Sequence, residues 1–512
     1  MSEQIFIPAN QVSFREFIWG EHRNRTALKA AAIAIVIQFA IFKYFYPFVS
    51  FIHGDSFNYI QTASNNWGIN TYMIGYPMFL RFLSVFTTWD FALSAFQYLL
   101  IQTSSLLLLF TVFYFYKPTR SLQIILLAFM VLNPLFLYIG NLVSSDALFL
   151  ALSLIWFALL LWITHRPSFR LLIWHTVVVY FAFTVRYNAM IYVPIAALAF
   201  TLSSFSIRMK LVGIGMAIIV IGLFVLHTGN QYKVLTGSWQ YSPFSGWQLT
   251  NNAMYAYRYV DSAHRKPVPG KFKELDKFVT QYFDSTRDTA KYPQEAMIAS
   301  TVYMWDPRMP PYKYRQWFFR KDTMAPELKR WASMGPLYKD YGMFIIKRYP
   351  LEFIQYFLWP NSQKYYAPPV EFLEQYNSGK NSVPSIAQKW FHYKTPLLTI
   401  RTKDPKARLL DFYPILSGVI NVIMLFGLLS FFLLGGFGQN TLFRKAILLS
   451  GATWLLNAGF TIFASSAALR FQSFPIMLST VFAGLLLNWI WKLASAQTER
   501  IYTSSEGIIL ST

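Results

Sequence analysis

A mainly α-helical, polytopic membrane bundle of about ten spans, with outer-surface juxtamembrane helices and one outward-facing, mostly helical domain, is the fold class that the sequence predicts. Composition is the first reason: 55% of the 512 residues are hydrophobic and only 13% charged, too apolar a balance for a soluble chain of this length. Spacing is the second. Apolar runs of roughly 20 residues, enough to cross a bilayer as helix, recur near 28–50, 91–116, 121–140, 143–164, 169–186, 188–205, 210–229, 410–435, 443–464 and 470–492.

Charge gives the third, and it orients the bundle. Arg23, Arg25 and Lys29, then Lys117 and Arg120, Arg166 and Arg170, Arg208 and Lys210, Arg444 and Lys445, and Lys492 occupy alternate linkers, and linkers rich in Lys and Arg stay cytoplasmic. A multi-pass protein of the inner (plasma) membrane with both termini in the cytoplasm is therefore expected. The first apolar run follows about 27 mostly polar residues and has no small-residue cleavage site, so it reads as a retained span. The expected units are an N-terminal transmembrane module, 1–229, whose first outer loop is 51–89; an outward-facing soluble domain, 230–409; C-terminal spans, 410–492; and a cytoplasmic tail, 493–512.

The formal net charge of +22 is spread between greasy segments with no nucleic-acid motif, so membrane lipids and phosphates are the expected partners and nucleic acid is not. With no cysteine the chain has neither a disulfide framework nor a thiolate metal site. His53 lies two residues before Asp55, but two ligands in one loop do not make a divalent-metal site, and no cofactor is expected.

On this topology Asp55, Asp146, Arg186 and Arg470 all fall at the outer end of a span or in an outer loop. Ionisable groups there are costly and have a task or a partner. Carboxylates can take a proton from an acceptor, and guanidinium groups grip phosphate oxygens in pairs. Asp55 and Asp146 are thus the candidate catalytic acids, and Arg186 and Arg470 the first candidates for a donor phosphate. Lys233 and Arg258, flanking Gly246-Trp247-Gln248-Leu249-Thr250-Asn251-Asn252, are further ones. Tyr59, Tyr76, Tyr187, Asn251 and Asn252 are the candidate substrate contacts. Plainer roles stand beside these: Asp55 and Asp146 as helix caps, Arg470 as an interfacial anchor.

The stretch His53-Gly54-Asp55-Ser56-Phe57-Asn58-Tyr59, with Gly75-Tyr76-Pro77, Ser145-Asp146, Arg186-Tyr187 and Arg470 with Pro475, resembles the C-type membrane glycosyltransferases, the superfamily of the protein O-mannosyltransferases and the aminoarabinose transferases. The resemblance implies that Asp55 activates an acceptor and that the arginines hold the phosphate of a polyprenyl-phosphate-linked sugar donor. It departs where Ser56 stands for the second acid of an Asp-Glu pair, and where Gly75-Tyr76-Pro77 stands for a Lys-Pro-Pro element. The expectation is transfer of a sugar to a lipid, glycan or protein acceptor of the envelope on the outer side. A lipid or sugar-lipid transporter and a non-catalytic envelope assembly factor are the competing readings.

Overall fold

The computed structural model describes residues 12–296, 299–402, 404–439, 441–464 and 466–509. They are mainly helical: among them β-structure is limited to three isolated bridges, such as Ser50 with Leu142. Among the described residues eight helices are long and apolar enough to cross a membrane. In Asp90–Tyr116, Ser145–His165 and Leu469–Ser495 more than 70% of the apolar window is buried, whereas in His22–Phe45 and Ile207–Thr236 it is 22% and 17%. The first three therefore form the centre and the other two the rim. Ile33, Val36, Ile37 and Ile41 on one rim helix, and Ile218, Ile219 and Leu223 on the other, point outward uncovered, as side chains facing lipid would.

Two of the ten expected spans are shorter. Phe169–Val185 has 17 residues and stops at Arg186, whose backbone turns extended (φ −150°, ψ 143°). A 3₁₀ turn, Tyr187–Ile191, then leads into the 11-residue helix Tyr192–Leu202. The break falls where Arg186 and Asn188 interrupt the apolar sequence, between the expected spans 169–186 and 188–205. At the other end, the stretch expected as a tail after 493 continues the last helix, Leu469–Ile509, up to the final three residues, which lie outside those described. Pro475 sits inside that helix, in its second turn.

Between the first two long apolar helices the connecting loop holds two short helices, Asp55–Asn65 and Gly75–Ser84. Gly75 is there because its backbone closes on that of Thr184: a Cβ at Gly75 would lie 2.6 Å from the Thr184 carbonyl. This contact clamps the loop to the helix end that carries Arg186. In the region 230–409, residues from Tyr232 to Phe357 share one core, in which Trp247 stacks on Trp331 at 5.6 Å and the helix Pro243–Tyr257 packs on Gly335–Arg348. Val383, Ala387, Phe391 and Leu398 belong instead to the core of that connecting loop, with Phe51, Tyr59 and Tyr76. Buried Asp90 ties this segment down, accepting from the Val49 amide at 3.1 Å and the Tyr393 hydroxyl at 2.8 Å.

Candidate functional site

Asp55 is the first residue of its helix, and the cap position before it is Gly54, with φ +96°, a conformation glycine enters without steric penalty. The carboxylate is thereby free of capping duty. Its Oδ1 accepts from the Tyr72 hydroxyl at 2.7 Å and its Oδ2 from Arg470 Nη2 at 2.9 Å. Asp146, in the first turn of Ser145–His165, caps nothing either. Its Oδ2 accepts from Ser144 Oγ at 2.6 Å and from Arg470 Nη1 at 3.2 Å, and its Oδ1 is paired with Arg186. Four residues from four distant parts of the chain thus form one network, with Arg470 bridging the two acids.

Exposure separates the members. The Asp146 side chain is fully buried and that of Arg470 is 6% exposed, whereas Asp55 keeps 21% and Arg186 16%. Asp55 and Arg186 are therefore the members that an incoming molecule can reach. A carboxylate offers about four acceptor positions, and Asp55 has two filled. Arg186 gives one Nη to Asp146, and no other hydrogen bond of its guanidinium occurs among the described residues.

Aromatic rings fix both cations from the sides. Phe471 lies between them, its ring centre 4.6 Å from the Arg186 guanidinium and 4.3 Å from that of Arg470, and Phe372 covers Arg470 at 4.6 Å. Such contacts hold a guanidinium in orientation without using its N–H groups. Phe372 has φ +70°, an uncommon state for a residue with a Cβ, of the kind found at functional sites.

Next to Phe372 is Glu371, which the sequence analysis passes over. Its Oε2 is buried with no hydrogen-bond partner among the described residues. Burial holds its pKa above the ordinary carboxyl range, while Lys364 and Arg470 pull it down. Tyr72 was legible only as an interfacial aromatic. Its phenol is pushed up by burial and by the Asp55 charge, so it stays a hydrogen donor. The Tyr72 ring meets Tyr59 at 5.3 Å, Trp305 at 5.7 Å and Phe244 at 6.2 Å, the last two from the 232–357 core.

The other expected site residues divide. Tyr59 bonds Ser145 Oγ, on the residue before Asp146, at 3.3 Å, and Tyr187 stacks on Phe244 at 5.9 Å beside Arg186. Tyr76 is fully buried and bonded to Gln97 at 2.9 Å. Arg258 is buried on Glu295 and Thr286, and Lys233 is exposed at the end of the helix Ile207–Thr236. Asn251 bonds Ser300 and the Met304 amide, and Asn252 bonds the Phe463 carbonyl. Among the described residues no hydrogen bond of these last five reaches Asp55, Arg186 or Arg470.

The two acids and two guanidiniums cancel in charge, so the site can hold an added anion only with help from Arg186's spare donors or a protonated Glu371. Among the described residues no three His, Cys, Asp or Glu side chains are arranged to hold a metal. Comparison with protein-family models, with curated proteins and with solved structures finds no match to this chain.

Proposed function

We propose that the chain is an integral membrane glycosyltransferase that moves a sugar from a polyprenyl-phosphate-linked donor to an envelope acceptor on the outer side of the membrane, inverting the anomeric centre. The observation that carries this reading is the meeting of Asp55 and Arg186, both partly exposed, around the buried Asp146–Arg470 pair. In this reading all ten apolar helices cross the bilayer, both termini are cytoplasmic, the two helices of the first loop lie on the outer surface and the 232–357 core stands outside.

The acceptor hydroxyl gives its proton to a free position on Asp55 as its oxygen attacks the anomeric carbon. The bond from that carbon to the phosphate oxygen breaks, and polyprenyl phosphate leaves as an anion. Arg186 meets the departing charge with its unused donors. Asp146, sealed and doubly paired, is a positioning residue that sets both arginines. Glu371, if protonated on donor binding, supplies the second acid that Ser56 does not.

A closed, charge-balanced network is also a way to staple a bundle, which favours the non-catalytic assembly factor as second reading. The test is release of free polyprenyl phosphate by purified protein given a lipid-linked sugar and envelope acceptors. Asp55→Asn should lower release at least a hundredfold with unfolding unchanged. Undiminished release by that variant would remove Asp55 from the chemistry, and donor binding without release by the wild type would leave the second reading.

A further inference from the structure

Against the Asp55 loop, lined by its His53 and Phe57 together with Phe51, Asn377, Lys380 and Ser382 among others, lies a cavity of about 250 Å³. Lys380 Nζ stands 3.0 Å from His53 Nε2. No carboxylate lines the space, so two basic nitrogens face it without a counter-charge. Phe51 and Phe57, 5.5 Å apart, form an apolar wall, with the His53 ring edge-on to Phe57 at 5.7 Å.

The turn that presents Lys380 is unusual. Asn377, Ser378 and Gly379 have φ +50°, +52° and +75°, and two consecutive non-glycine residues in the left-handed region persist only where the surroundings hold them. The surroundings do so here: the Asn377 amide bonds Ser50 Oγ at 2.8 Å, Ser378 Oγ bonds the Phe51 carbonyl at 3.0 Å, and the Tyr376 hydroxyl bonds the Phe48 carbonyl at 3.0 Å. A strained turn stapled at three points to the His53 loop keeps an ammonium against an imidazole. The Lys380 ammonium gives one N–H to His53 Nε2 and has two more to offer an anion.

We infer that this cavity binds the anionic group of the sugar acceptor, a phosphate or carboxylate carried on a single hydroxylated ring. The inference rests on the transferase reading for the word acceptor and on the cavity for the rest. Size limits the occupant to about one ring, since pockets for drug-sized ligands start near 300 Å³. Position brings it close to the chemistry: His53 and Asp55 are two residues apart, so their Cα atoms lie within about 7 Å, and a ring anchored at His53 sits against the loop that carries Asp55. Burial and the neighbouring Lys380 charge both lower the His53 pKa, which disfavours a second positive charge beside Lys380 until an anion balances it.

The test is calorimetric titration of the full chain in nanodiscs, free of lipid donor, with glucose 6-phosphate, glucuronate and glucose. Saturable binding of the phosphate ester, the uronate or both, and none of glucose, is expected; the preference between the two anions identifies the acceptor's charge. Lys380→Gln should weaken that binding at least tenfold and Lys380→Arg should restore most of it. Equal binding of glucose, no saturable binding of either anion, or unchanged affinity in a folded Lys380→Gln protein would each overturn the inference. Release of polyprenyl phosphate in the absence of anion binding would sink this site alone, and anion binding without any release would sink the transferase reading alone.

Discussion

Arg470 carries more of the site than any other side chain, because removing it strands two acids at once. Breaking a buried ion pair from one side costs about 3–5 kcal/mol, so Arg470→Ala should lower unfolding stability by about that much, read from denaturant unfolding in detergent. Arg470→Lys keeps the charge but cannot bridge two carboxylates with one ammonium; it should fold and yet release polyprenyl phosphate at least tenfold more slowly. Glu371 gives a pH signature. Its folded pKa lies above the ordinary value near 4.3, so between the two values the folded chain binds more protons than the unfolded one and stability falls as pH rises. Glu371→Gln should flatten that slope in melting curves taken across the acid range. The four charged residues of the network stood out in sequence because each interrupts or borders an apolar run. Glu371 and Tyr72 did not, since an acid after Pro368-Pro369 or a tyrosine in a polar loop has no contrast with its neighbours, and only the folded contact reveals it.

At the level of elements, the helices of the bundle and the break at Arg186 were legible from hydropathy, and the extended backbone and 3₁₀ turn at that break were not. There the backbone leaves the helix so that the guanidinium can turn to Asp146, a choice made by a partner 40 residues away. The Gly75–Thr184 contact works with it. A methyl group at Gly75 would meet the Thr184 carbonyl at 2.6 Å, against backbone that cannot yield as a side chain would. Gly75→Ala should therefore destabilise by about 1–3 kcal/mol and loosen Arg186 as well. The melting temperature and the rate of polyprenyl phosphate release should both drop, and a stability loss with normal release would mean the clamp does not serve the site.

For the molecule as a whole, sidedness is the quantity on which the charges and the chemistry must agree. The absence of cysteine makes it directly measurable. A membrane-impermeant maleimide applied to spheroplasts should label Ser262→Cys, exposed on the 232–357 unit, and leave Ser168→Cys, exposed in a basic linker, untouched until the membrane is opened. The reverse pattern would turn the proposed active site toward the cytoplasm, where the proposed envelope acceptor is not found. Linker charges are the ground for the expected orientation, but they could not foretell that 383–398 would leave its sequence neighbours for the loop between the first two spans. That choice follows from Asp90, a buried acid that needs Tyr393, and from apolar faces on both partners.

Proline 475 gives the last helix a hinge. Lacking an N–H, it cannot bond the Phe471 carbonyl one turn earlier, so the turn that bears Arg470 and Phe471 is joined to the long rod beneath it by one tie fewer. In the proposed reaction this weakened joint is where Arg470 would yield Asp55 to a substrate, while the rest of the rod keeps its grip on the bundle.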